Sequence, residues 1–174
     1  MVKIYKVFTD GSSTQINDKD GLKYGGAGIY LSKYSKFNKS ISYMGSKVTN
    51  QRCELLACIE AIKILKHKNN KIIIYTDSMY TIKCATEWSK KWLTYNWKRK
   101  VGNKFKEIIN LDLIKELYYL VLNNNVVFIH VRSHQKEPKD KKSDDWFKWN
   151  GNNMADKLAF KAMEKIRKKK KLKY

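Results

Sequence analysis

The apolar residues change period at Thr49-Asn50, and that change limits the chain to a small set of architectures. Before it, Val2 to Thr9 alternates apolar and basic residues, and Gly25 to Leu31 and Ser40 to Met44 form two further strand-like runs. Strands joined by short polar segments imply an antiparallel meander. After it, Leu55, Ile59, Ile62 and Leu65 recur at three- and four-residue steps, the pattern of an amphipathic helix entered through a Thr or Asn cap. Lys71 to Thr76 is then a short β-branched run with the character of a buried strand. Strands, then helix, then strand point to an α/β fold around one mixed sheet.

Beyond Asp77-Ser78 the segment 79–105 carries Trp88, Trp92 and Trp97 among many lysines. Asp112 to Asn123 is predicted helical through Leu113, Leu117, Leu120 and Val121, and Val126 to Val131 is a last strand ending at Arg132-Ser133-His134. A polar loop is expected over 135–151, and from Asn152 a final helix through Ala155, Leu158, Ala159 and Met163. The basic residues 167–174 then read as a tail.

Charge narrows the class of partner. The 174 residues include 37 Lys and Arg against 16 Asp and Glu, a formal net charge of +21. That excess favours a polyanion, because each phosphate neutralised by Lys or Arg releases condensed counterions. A hydrophobic content of 43% excludes a wholly disordered basic protein. Apolar runs such as Ile72-Ile73-Ile74 fall far short of a membrane span, and the N-terminus has no signal-peptide pattern. An intracellular protein, cytoplasmic or nuclear and without a membrane partner, is expected. Cys53, Cys58 and Cys84 form no C-x-x-C pair and read as packing residues.

Few acids remain, and four occupy telling positions. Asp10 is expected at the end of the first strand, where Asp10-Gly11-Ser12-Ser13 resembles a turn, and Asp77 at the end of a later one. Glu54 lies in the first turn of the helix that starts near Asn50, and Asp156 near the start of the last helix. Strand ends and helix starts of an α/β sheet converge on one ligand-binding edge. Carboxylates gathered there repel one another unless cations hold them, and Mg²⁺ prefers such hard oxygen donors. Two such ions about 4 Å apart activate a water and stabilise the leaving oxygen of a phosphodiester.

The motifs Phe8-Thr9-Asp10-Gly11-Ser12, Thr49-Asn50-Gln51-Arg52-Cys53-Glu54-Leu55, Tyr75-Thr76-Asp77-Ser78-Met79 and Gly151-Asn152-Asn153-Met154-Ala155-Asp156 occur in order. With them the chain resembles a type 1 ribonuclease H from Lys3 to about Lys165. The resemblance implies an RNase H-like fold with a five-stranded mixed sheet. It implies an endoribonuclease that cuts the RNA strand of RNA/DNA hybrids with two Mg²⁺ ions, Mn²⁺ being a substitute, to 5′-phosphate and 3′-hydroxyl products. On it, Asp10, Glu54, Asp77 and Asp156 match metal-binding acids, and His134 matches a histidine that assists proton transfer or product release. Asn50 and Gln51 match minor-groove contacts, joined by Gly11, Ser12 and Ser78, while Lys47 and Thr49 match a DNA-phosphate site. Trp88, Trp92, Trp97, Lys98 and Arg99 match a basic protrusion that grips the DNA strand. In that protrusion Asn96 stands where a glycine is usual.

The same likeness leads to the expectation of one catalytic domain over 1–166, acting as a monomer, without the hybrid-binding domain that precedes some family members. The stretch between His134 and Asp156 is longer than usual, and Asp144 and Asp145 within it are expected to be bystanders. His130 and His134 lack the cysteines of a zinc finger, Asp18 to Gly21 lacks the ends of a calcium loop, and Gly25, Gly26 and Gly28 lack the following Lys-Ser/Thr of a phosphate loop. Two rivals remain: a catalytically silent hybrid- or double-stranded-RNA-binding module, and a transposase or junction-resolving nuclease of the same superfamily. Four intact acids argue against the first, and the Asn50-Gln51 pair with the tryptophan-rich arm against the second.

Overall fold

A computed structural model describes residues 2–15, 17–67, 69–133 and 135–171. Strands β1 (Lys3–Ser13), β2 (Lys23–Tyr30) and β3 (Lys39–Gly45) form the expected meander. Helix α1 (Asn50–Leu65) leads to β4 (Asn70–Thr76). Helix α2 (Met79–Lys83) continues through a π-helical turn (Cys84–Trp88) into α3 (Ser89–Thr94), followed by a small hairpin of β5 (Arg99–Val101) and β6 (Lys104–Lys106). Helix α4 (Leu111–Leu122), β7 (Asn125–His130) and the long α5 (Asp144–Lys171) complete the chain. The main sheet has five strands in the order β3-β2-β1-β4-β7, mixed as expected, with β1, β4 and β7 parallel.

Both faces of this sheet are covered, and the period of two along each strand feeds two cores. Val7, Ile72 and Ile74 face one side and pack with Leu55, Ile59 and Ile62 of α1 and with Ile114 and Leu117 of α4. Phe8 and Tyr75 face the other side and pack with Val131 and Ala155. Thr49 caps α1 by accepting a hydrogen bond from the Arg52 N–H at 3.2 Å. Arg52 then grips Asp112 with both guanidinium arms, at 2.9 and 2.6 Å, tying α1 to α4. All three cysteines are buried, and burial pushes each thiol up to about 12, so they pack rather than react. Among the described residues no helix is long and apolar enough to cross a membrane.

Two boundaries differ from expectation. Asp10-Gly11-Ser12-Ser13 is no turn: β1 continues through it, with Asp10, Gly11, Ser12 and Ser13 opposite Gly28, Ala27, Gly26 and Gly25 of β2. These small residues clear space for helices. A Cβ on Gly28 would lie 2.0 Å from the Ala155 carbonyl oxygen, and one on Gly26 2.0 Å from that of Ala159, so α5 rests directly on the β2 backbone. Helix α5 also begins at Asp144 instead of Asn152 and runs to Lys171. The second half of the expected 135–151 loop is therefore helical, and so is the expected tail from 167 to 171. The start is marked by Ser143, whose hydroxyl accepts from the Trp146 N–H at 3.1 Å, with Asp144 and Asp145 in the first turn where the helix dipole favours acids.

Candidate active site

The parallel register of β1 and β4 brings Val7 level with Ile74 and Phe8 level with Tyr75, so Asp10 and Asp77 stand side by side where the two strands cross the same sheet edge. Asp10 is thus inside its strand and only 9% exposed, where a strand end was expected. Glu54 arrives from α1 because Gly11 lets that helix cross at backbone distance: a Cβ on Gly11 would lie 2.2 Å from the Glu54 nitrogen. Asp156 is likewise well inside α5 instead of near its start, carried to the cleft by the close seat of Ala155 on Gly28. All four carboxylates line one cleft of about 550 Å³, together with Gly11, Ser12, Asn50, Arg132, Ser133, Gln135, Trp149, Asn152 and Asn153.

Most of the acids are oriented by neighbours. The Gly11 N–H donates to Asp10 Oδ1 at 2.8 Å. Glu54 accepts from the Asn50 amide at 2.9 Å and from the Ser78 hydroxyl at 2.5 Å. Asn152 donates to Asp77 Oδ2 at 3.3 Å. Burial pushes the Asp10 carboxyl up to about 8, reinforced by the charges of Asp77, Asp156 and Glu54 and opposed by the Gly11 hydrogen bond. Burial also raises Glu54, against the pull of its bond from Ser78. Burial is the larger cause of the Asp10 shift, and the repulsion of the neighbouring acids adds to it. Among the described residues, no three such side chains already converge tightly enough to cage an ion. The donor set is nonetheless hard oxygen in a polar cleft, the chemistry of Mg²⁺ or Mn²⁺, and the repulsion on Asp10 is what a bound divalent cation relieves.

Other expected site residues divide. Gly11, Ser12 and Asn50 line the cleft, and Lys47, Thr49 and Gln51 lie exposed beside the start of α1. Ser78 is buried, caps α2 through the Thr81 N–H and holds Glu54. The tryptophans need a larger correction. Trp92 and Trp97 are 8% and 7% exposed and belong to the core under α1 and α4, so their rings support the protrusion from within. Trp88 is partly buried and bounds a recess with Lys91, Tyr95, Arg99 and Lys100. Lys98 and Arg99 are exposed at the β5–β6 hairpin. His134 lies outside the described residues. Asp144 and Asp145 stand apart from the cleft, as expected.

Sequence reasoning missed Asn152, Arg132, Gln135 and Trp149 as cleft residues. Asn152 precedes Asp156 by four residues, one helical turn, and that spacing was legible in the helix expected from Asn152.

A sequence profile of the RNase H family matches residues 3–164. The chain belongs to the RNase H family. It is 36% identical over 154 residues to a ribonuclease H of Orientia tsutsugamushi, covering 88% of this chain and 79% of that protein. It is 34% identical over 160 residues to a ribonuclease H of Ruthia magnifica, covering 92% of this chain and 95% of that protein. Among solved structures it is similar to LC9-RNase H1, described as a type 1 RNase H with the type 2 active-site motif, with a TM-score of 0.67 and 27% identity over 94% of this chain and 74% of that one. The RNase H domain of PFV shares the fold, with a TM-score of 0.68 and 21% identity over 92% of this chain and 94% of that one. These likenesses make this protein a type 1 RNase H enzyme.

Proposed function

We propose that the protein hydrolyses the RNA strand of RNA/DNA hybrids, leaving 5′-phosphate and 3′-hydroxyl ends, with two divalent cations held by Asp10, Glu54, Asp77 and Asp156. The observation that carries this reading is the convergence of these four acids on one cleft in a chain of net charge +21. A binding module gains nothing from clustered carboxylates facing phosphates. Bound at these acids, Mg²⁺ or Mn²⁺ supplies the Lewis acidity that lowers the pKa of water and offsets charge on the departing 3′ oxygen.

The chain's own groups do the rest. Gly11, Asn50, Ser78 and Asn152 fix the direction of the carboxylate oxygens through the hydrogen bonds given above. Asn50 and Gln51, at the start of α1, address the minor groove, where 2′-hydroxyls distinguish RNA from DNA. Lys47 and Thr49, with Lys98 and Arg99 on the hairpin, address phosphates of the DNA strand. His134 assists proton transfer or product release, tasks to which imidazole chemistry is suited. The catalytic unit on this reading is 1–166.

The deciding experiment incubates the full chain with end-labelled RNA/DNA hybrid, double-stranded RNA and double-stranded DNA, with and without Mg²⁺, beside Asp10→Asn. The expected result is metal-dependent cutting of the hybrid's RNA strand alone, lost in the variant. Binding without cutting establishes a silent module, and cutting of DNA moves the protein to the resolvase branch. His134→Ala is expected to slow turnover without abolishing it; an unchanged rate removes His134 from the mechanism.

A further inference from the structure

The acidic cleft must admit a polyanion, and one of its walls carries a cation that the carboxylates do not use. The ladder between β4 and β7 pairs Thr76 with His130 and continues one residue further, with the Val131 N–H donating to the Thr76 carbonyl at 3.0 Å. Val131 is buried at 4% exposure, and Arg132 is the first residue to leave the sheet, at the edge where Asp77 leaves the neighbouring strand. Arg132 is the one Lys or Arg among the described residues lining the cleft. It is exposed and, among the described residues, has no hydrogen-bond or ion-pair partner, although four acids share the cleft. The wall it stands on is braced: the Trp149 indole N–H, from the first turns of α5, donates to the Gln135 carbonyl at 2.9 Å. A second indole, Trp146, donates to Glu137 at 3.2 Å.

We infer that Arg132 forms a phosphate-binding subsite on the β7 side of the cleft, taking a non-bridging phosphodiester oxygen of the RNA strand next to the bond that is cut. An arginine suits this place because its fork donates two parallel hydrogen bonds to a phosphate and stays charged beside any carboxylate. The inference rests on the hybrid-cleaving reading, and its test is separable from that reading.

The test measures equilibrium binding of hybrid to the full chain carrying Asp10→Asn, alone and combined with Arg132→Ala or Arg132→Lys, across a salt series. Arg132→Ala is expected to weaken binding about tenfold and to reduce the salt slope by about one ion, with Arg132→Lys between the two. A second set of hybrids places a single methylphosphonate linkage, flanked by 2′-O-methyl nucleotides, at successive RNA positions. One position is expected at which the uncharged linkage weakens binding about tenfold when Arg132 is present and has no effect in Arg132→Ala. Equal losses in both proteins at every position, or an unchanged affinity and slope in Arg132→Ala, overturn the subsite. Wild-type protein that leaves the fully ionic RNA strand intact in Mg²⁺ overturns the catalytic reading instead, and the linkage cycle still decides whether Arg132 meets a phosphate.

Discussion

Asp10 shows how much one residue's chemistry depends on its burial. Its carboxyl is held at about 8 against an ordinary 3.8, so in metal-free protein the folded state binds this proton more tightly than the unfolded chain does. That contribution to stability is complete below the unfolded value and is lost as pH rises toward the folded one. Thermal melts in EDTA should therefore show stability falling between about pH 4 and pH 8. Asp10→Asn should flatten that fall and raise the melting temperature at pH 8 by several degrees, on the order of 5 °C. The same substitution should abolish cleavage, so one variant separates stability from activity. Gly11 carries a different constraint. A methyl group there meets the α1 backbone at 2.2 Å, and Gly11→Ala should cost about 1–3 kcal/mol in denaturant unfolding while displacing Glu54. Asn96 and Trp97 both sit at positive φ, 51° and 59°. Asn96 tolerates this region, which explains how it replaces a glycine. Trp97 has no such tolerance; burial of its indole holds it there.

At the scale of elements, α5 sets the fourth carboxylate, and two substitutions distinguish its placement from its chemistry. Gly28→Ala should push the helix off β2, lowering both melting temperature and cleavage rate, because the added Cβ meets the Ala155 carbonyl at 2.0 Å. Asp156→Asn should lower the rate alone. Core periodicity made β1, α1, β4, α4 and β7 readable, since each buries a regular face. The start of α5 was not readable that way: Trp146, Phe147 and Trp149 are spread over a polar run whose capping signal at Ser143 was weaker than its loop-like composition. The reading of Trp92 and Trp97 failed for a related reason. Tryptophans among lysines fit a nucleic-acid surface and an amphipathic helix equally well, and only packing against α4, with Trp97 5.7 Å from Tyr118, decides between them.

For the whole molecule the net charge of +21 dominates encounter with any polyanion. Replacing Lys98, Arg99 and Lys100 together should weaken hybrid binding and reduce the salt slope by about two to three ions, read from affinity at several salt concentrations. An unchanged slope would take the hairpin off the binding face. Millimolar Mg²⁺ should raise the melting temperature of wild-type protein above that in EDTA, and should do so far less for Asp10→Asn, by mass action on the folded state.

The order of the five main strands, the places of α1 and α4 among them and the mixed character of the sheet were contained in the linear pattern, because hydrophobic period is a local property; the four acids picked out by short motifs share one cleft. The depth of Asp10 within its strand, the role of Ser78 as a brace for Glu54, the burial of two tryptophans and the cleft position of Arg132 were not contained in that pattern. Each depends on how closely two elements approach, and that distance is decided where Gly11, Gly26 and Gly28 leave room for a helix backbone against a strand. Sequence spacing records which residues can face a cleft; the contacts between distant segments decide which of them do.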